Sequence, residues 1–186
     1  MSRRDLRISL DDATWRGLHA LAEIYHATPE RMVRSWAESE VATRLGQLLA
    51  GMPAELVVPS VGTFVEVPAP AEHRCWTIGG YRPPGTEESL TTSVMVASGE
   101  LPPDLSFVAR TMRRWSEHGA LARGTAVARL GPADGAALGD PELTFRSGRR
   151  WTVRLVRPDA SGRTGRGVLV EFDGAKVTGV EDLTSR

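Results

Sequence analysis

Six residues near the start of the chain set the strongest constraint on its fold. Asp5-Leu6-Arg7-Ile8-Ser9-Leu10 alternate strictly. As an extended strand they place Leu6, Ile8 and Leu10 on one face and Asp5, Arg7 and Ser9 on the other. Two helical patterns follow almost at once. A lone strand of this length cannot pair its backbone or bury its apolar face. Two helices of modest length also make a thin core. A second copy of the chain removes both difficulties: two strands pair as an antiparallel ribbon over four helices. The outer face of that ribbon then carries Asp5, Arg7 and Ser9 twice.

The helical patterns are well bounded. Asp11-Asp12 supply a cap and negative charge at the positive end of the first helix, which runs to about Tyr25. Trp15, Leu18, Leu21, Ala22 and Tyr25 recur at steps of three and four, and Gly17 weakens the helix slightly. His26-Ala27 forms the turn. Thr28 caps the second helix, with Pro29 at its first position, where a missing N–H costs nothing. Met32, Val33, Trp36, Ala37, Val41, Leu45 and Leu48 make its stripe, and Gly51 and Pro53 end it.

In this order and spacing, residues 4 to 49 resemble the ribbon-helix-helix family (MetJ/Arc/CopG type) of bacterial DNA-binding proteins. The resemblance rests on the Leu6–Leu10 alternation, the Asp11-Asp12 cap, the Leu18, Leu21, Ala22 stripe, and the Thr28 cap ahead of Met32-Val33 and Ala37. It implies a homodimer on double-stranded DNA, with higher assembly on DNA left open. A two-stranded ribbon fits the major groove. The base-reading positions fall on Asp5, Arg7 and Ser9, and Arg7 is the main reader, since arginine pairs bidentately with guanine O6 and N7. Arg3 and Arg4 are expected at the phosphates, together with the start of the second helix at Thr28, Pro29, Glu30 and Arg31. Two positions depart from the family pattern. His26 stands where glycine is usual in the turn, and it takes a left-handed conformation at some cost. Trp36 stands where a small residue is common, so it must be absorbed at the dimer interface or by the second domain.

Composition excludes little. The 186 residues fit one domain or two, and the formal net charge is zero, which argues against a generic nucleic-acid coat but not against a sequence reader. Lys176 is the only lysine. The arginine bias suits phosphate recognition, but the codon usage of a GC-rich genome is the stronger explanation. No apolar run would span a bilayer and the first residues lack a signal-peptide h-region, so the expected location is the cytoplasm, at the nucleoid. A single cysteine excludes an internal disulfide and a cysteine-only zinc site.

Residues 1–50 are thus expected as a DNA-binding and dimerisation domain, 51–60 as a linker or first edge strand, and 61–186 as a domain of open role. In that domain, short β-like runs occur at Thr63–Val67, Arg74–Ile78, Ser93–Ala97, Thr125–Leu130, Arg150–Val156, Gly167–Phe172 and Lys176–Val180. Asp173-Gly174 signals a two-residue hairpin closing a three-strand meander. One helix is expected from about Pro103 to His118, with Phe107, Val108, Thr111, Met112 and Trp115 inward and Arg110, Arg113 and Arg114 outward. The fold class is α+β: a dimeric ribbon-helix-helix unit joined to a mostly antiparallel β domain.

Catalytic constellations are largely missing. His73-x-Cys75 could share a strand face, but a small buried thiol beside an imidazole is the plainer reading. The glycines of Gly162–Gly167 lack a P-loop lysine and read as a hairpin loop. Arg146, Arg149, Arg150, Arg154, Arg157, Arg163 and Arg166 gather as a possible second anionic-partner surface. Trp76, Tyr81, Phe107 and Trp115 read as core rather than pocket. No metal or cofactor is expected, and no enzyme. The chain reads first as a transcriptional regulator, most simply a repressor, whose second domain senses a small-molecule effector, binds a protein partner or assembles dimers. An antitoxin with a C-terminal toxin-binding domain comes second. An enzyme with a borrowed dimerisation module comes third.

Overall fold

The computed structural model describes residues 7–158 and 164–183. The chain divides into two compact units, 1–44 and 45–186.

The first unit is built on α1 (Asp12–Ile24) and most of α2 (Pro29–Ala50). Asp11 caps α1 by accepting from the amides of Ala13 at 3.0 Å and Thr14 at 2.8 Å, and from the Thr14 hydroxyl at 3.0 Å. The bonds from Thr14 hold the Asp11 carboxyl below its ordinary pKa. His26 turns the chain at φ 50°, the left-handed geometry the turn demands. Thr28 Oγ1 then accepts from the Arg31 amide at 3.2 Å and opens α2. The buried core of this unit is small: Leu18, Ala22 and Met32, with Ala27 and Val33 against it.

No strand forms over Arg7–Leu10, the described part of the one expected. Arg7 to Leu10 carry no regular structure and are exposed, so the helices come first. Asp5 and Leu6, with Arg3 and Arg4, lie outside the described residues.

The second unit is an α+β domain. Its eight-stranded sheet runs in sequence order: β1 (Glu55–Val58), β2 (Gly62–Val67), β3 (His73–Tyr81), β4 (Leu90–Ala97), β5 (Pro141–Phe145), β6 (Arg150–Pro158), β7 (Thr164–Asp173) and β8 (Lys176–Asp182). Every pairing is antiparallel except β4 with β5. A parallel neighbour needs a crossover, and here it is helical: α3 (Leu105–Arg113), α4 (Trp115–Leu130) and α5 (Pro132–Ala136). The segment expected as a linker or first edge strand therefore holds edge strand β1.

One sheet face carries the core. Phe64, Trp76, Val94, Phe145, Trp151 and Phe172 are all at most 1% exposed. Phe145, Trp151 and Phe172 are register neighbours across β5, β6 and β7 and stack at 5.6 and 4.2 Å. Helix α3 closes over them: Phe107 meets Phe145 edge-on at 6.1 Å. The Trp151 indole donates to the Gly174 carbonyl at 2.8 Å, which fixes the last hairpin. That hairpin turns on Gly174-Ala175 rather than on Asp173-Gly174, with Gly174 at φ 60°.

Two local expectations are corrected. Thr125–Leu130 is not a strand but the second half of α4, and the single helix expected from Pro103 to His118 is two, α3 and α4, broken at Arg114, the second of which runs on to Leu130. Trp115, His118, Gly119, Ala122 and Ala126 are buried along one side of α4. Their helical spacing outweighs the β preference of Thr125 and Val127. Gly119 does not break the helix; it makes room, because a Cβ there would sit 2.7 Å from the Trp115 ring. Strand β5 also went unanticipated.

Candidate functional site

Of the residues expected to read bases, Arg7 and Ser9 are described, and both are exposed. Arg7 is followed by Ile8 and Leu10, whose side chains are exposed as well. At the start of α2, Thr28, Glu30 and Arg31 are exposed and Pro29 is half-buried. The Thr28 hydroxyl already accepts from the Arg31 amide, and Pro29 has no N–H to give. The helix end still offers its positive dipole to an anion, with the Arg31 side chain in solvent beside it. The Glu30 carboxylate at the same place stabilises the helix but opposes a phosphate.

The two other arginine groups behave differently. On α3, Arg110 lies 3.6 Å from Asp104, and Arg114, just past the helix, pairs with Glu117 at 2.5 Å. Arg150 pairs with Glu100 at 2.9 Å and Arg154 with Glu142 at 2.8 Å. Arg149 lies over the Phe107 ring at 5.6 Å. Four of these arginines, Arg110, Arg114, Arg150 and Arg154, thus have a carboxylate partner at the surface, where such pairs are weak. Arg163 lies outside the described residues, and the side chains of Arg157 and Arg166 are not described.

No nucleophile is assembled at Cys75. The thiol is buried and free, and its nearest polar partner is the Thr77 hydroxyl at 4.0 Å. The His73 ring faces the Ala71 carbonyl at 3.0 Å instead. Among the described residues no group of three or more histidine, cysteine, aspartate or glutamate side chains is placed to hold a metal. Trp76, Phe107 and Trp115 are core, as their periodicity implies, and Tyr81 packs against that core.

Two polar clusters escape sequence reasoning. Arg74 bonds Glu66 and the carbonyls of Leu49 and Met52. Glu88 accepts from both Trp115 and Arg123, residues 27 and 35 positions away. Neither cluster has a local spacing signal, because each joins segments far apart in the chain.

No helix among the described residues is long and apolar enough to cross a membrane. No known protein family, no curated protein and no solved structure matches the chain.

Proposed function

We propose that the chain is a sequence-specific DNA-binding regulator, most simply a transcriptional repressor. It acts as a homodimer whose paired opening segments enter the major groove. One observation carries this reading: the apolar surface that a single copy leaves open in the first unit. Ile8 (55%), Trp15 (43%), Trp36 (49%) and Val41 (57%) are about half exposed around a core of three buried side chains. Units this small seldom fold alone without a partner. A second copy supplies the missing strand partner for residues 5–10 and covers the helical stripes.

In that dimer Ile8 and Leu10 turn inward, so Arg7 and Ser9 turn outward twice. Arg7 offers a fork to guanine, Ser9 donates or accepts, and Asp5 accepts from cytosine N4 or orients Arg7. Arg3, Arg4 and the start of α2 at Thr28, Pro29, Glu30 and Arg31 hold the phosphates and fix the register. The second unit has its own extensive core. That favours a sensing, partner-binding or assembly domain over the short pliable segment typical of an antitoxin.

The experiment is a gel shift with DNA from upstream of the protein's own gene. Wild type is expected to bind, with affinity falling steeply as salt rises. Arg7→Ala is expected to lose specific binding by at least about tenfold, the weight of one bidentate base contact, while the dimer survives. Unchanged binding by Arg7→Ala would overturn the base-reading role. A toxic neighbouring gene would instead favour an antitoxin.

A further inference from the structure

We propose that Trp115 and Arg123 form a binding site for a small anion, a carboxylate or a phosphate, and that the chain's own Glu88 fills it in the closed state. The site lies in the second unit and does not rest on the DNA-binding reading.

Both donors come from α4 and converge on one carboxylate. The Trp115 indole N–H donates to Glu88 Oε2, and Arg123 donates through Nε at 2.9 Å, and through Nη2, to Oε1. A neutral N–H beside a guanidinium is a donor set that suits any planar carboxylate or a phosphate oxygen pair. Trp115 is only 1% exposed, so its N–H cannot be left without an acceptor at small cost. Whenever Glu88 withdraws, water or another anion must take its place. The Arg123 and Glu88 side chains are 32% and 29% exposed, so a ligand reaches the donors from solvent without unfolding the core.

The segment that carries Glu88 is suited to exchange. It is the connection between β3 and β4, where the register shifts between Ile78 and Tyr81. Gly80 (φ 69°) and Gly85 (φ 76°) flank its first half in the left-handed region, and neither has a neighbour that a Cβ would touch. Pro83 is buried and pins that first half. Beyond Gly85, the Glu88 amide bonds the Thr86 hydroxyl at 3.0 Å, a turn local to the segment, whose Thr86 amide reaches back to the Pro83 carbonyl at 3.4 Å. Residues 86–89 thus form a strap held across the chain by the Glu88 carboxylate. An anion that takes the donors frees the strap.

The test is chemical rescue in the full chain. Sodium acetate and, separately, inorganic phosphate are titrated into 15N-labelled wild type and Glu88→Ala, following the Trp115 indole N–H resonance. In Glu88→Ala one of the two probes is expected to move that resonance saturably, with an apparent affinity about tenfold tighter than in wild type. That factor is the one imposed by a strap closed roughly nine-tenths of the time. Which probe saturates distinguishes a carboxylate site from a phosphate site. Adding Arg123→Gln to Glu88→Ala is expected to abolish the response. Should Glu88→Ala fail to fold, Glu88→Gln carries the same comparison, because its neutral amide fills the space but holds the guanidinium weakly. An indole resonance that neither probe moves, or that moves equally in wild type and variant, overturns the proposal.

Discussion

Arg74 holds Glu66 with two parallel hydrogen bonds of 2.7 Å, while its Nη1 donates at 2.7 Å to the carbonyls of both Leu49 and Met52. One side chain thereby joins β2 and β3 to the end of α2, where helix carbonyls lack intrahelical donors. The pair lowers the Glu66 pKa and raises that of Arg74. The guanidinium also lies over Trp76 at 4.8 Å, whose indole bonds the Pro53 carbonyl at 2.9 Å. Arg74→Ala is expected to cost about 2 kcal/mol, because carbonyls and a carboxylate lose their donors together. Arg74→Lys should recover only part, since an ammonium cannot fork. Thermal melts check both, and an unchanged Tm in Arg74→Ala would contradict the account.

Glycines 119 and 124 sit in the same helix and should respond to alanine with opposite signs. At Gly119 an added Cβ meets the Trp115 ring at 2.7 Å, and Trp115 is locked in the core. At Gly124 nothing lies within 4 Å. Gly124→Ala should stabilise by about 0.5–1 kcal/mol through helix propensity. Gly119→Ala should destabilise despite the same propensity gain, by about 1–3 kcal/mol of overpacking. Equal effects in denaturant melts would show that the close approach to Trp115 is not real.

That contrast also marks where the sequence was readable. The ends of α1 and α2 were legible because Asp11, Thr28 and Pro29 state them locally; of the stripes, Leu18, Ala22 and Met32 are buried, whereas Trp15, Leu21, Tyr25, Trp36, Val41 and Leu48 are exposed. The left-handed turn at His26 was expected from the family resemblance, which places glycine there, and His26 does adopt it, at φ 50°. Six of the eight strands were legible from β-branched alternation. Helix α4 was not, because Gly119 reads as a stop and Thr125 and Val127 read as strand until Trp115 is known to fill the space above the glycine. Strand β5 begins with Pro141 and has only five residues, and its parallel partner β4 lies a whole crossover away. The strand expected at residues 5–10 has the alternation, but its described part, Arg7–Leu10, takes no regular structure. The Glu88 and Arg74 clusters depend on long-range neighbours that no local spacing encodes.

Thr92 lies on the core face of β4 between Leu90 and Val94, fully buried, and its hydroxyl finds no hydrogen-bond partner. An unpaired buried hydroxyl is costly, and valine has nearly the same shape. Thr92→Val should therefore raise stability by about 1–2 kcal/mol, or a few degrees in Tm for a chain of this size. A lowered Tm would mean that the hydroxyl is engaged after all.

His118 gives the protein an acid-side weakness. Its ring is buried edge-on against Trp151 at 5.4 Å and Phe172 at 6.4 Å. Burial pushes its pKa below 6.5; the Arg114 charge lowers it further, and Glu117 opposes both. The unfolded chain therefore binds this proton more readily than the folded one. The stability contribution is complete above about pH 6.5 and is lost as pH falls from there toward the depressed folded value. His118→Phe should flatten the Tm-versus-pH curve over that interval relative to wild type. Parallel curves would contradict the assignment.

The central claim is that two copies of the opening segment pair with each other. Light scattering on the intact chain tests it most directly when Ile8→Asp is run beside wild type. Ile8 is 55% exposed in the single chain, so the aspartate is not buried within one copy. The account predicts a wild-type mass of twice 20.2 kDa and a collapse of Ile8→Asp to the single-chain mass. A wild-type monomer, or a dimer that Ile8→Asp leaves intact, would contradict it.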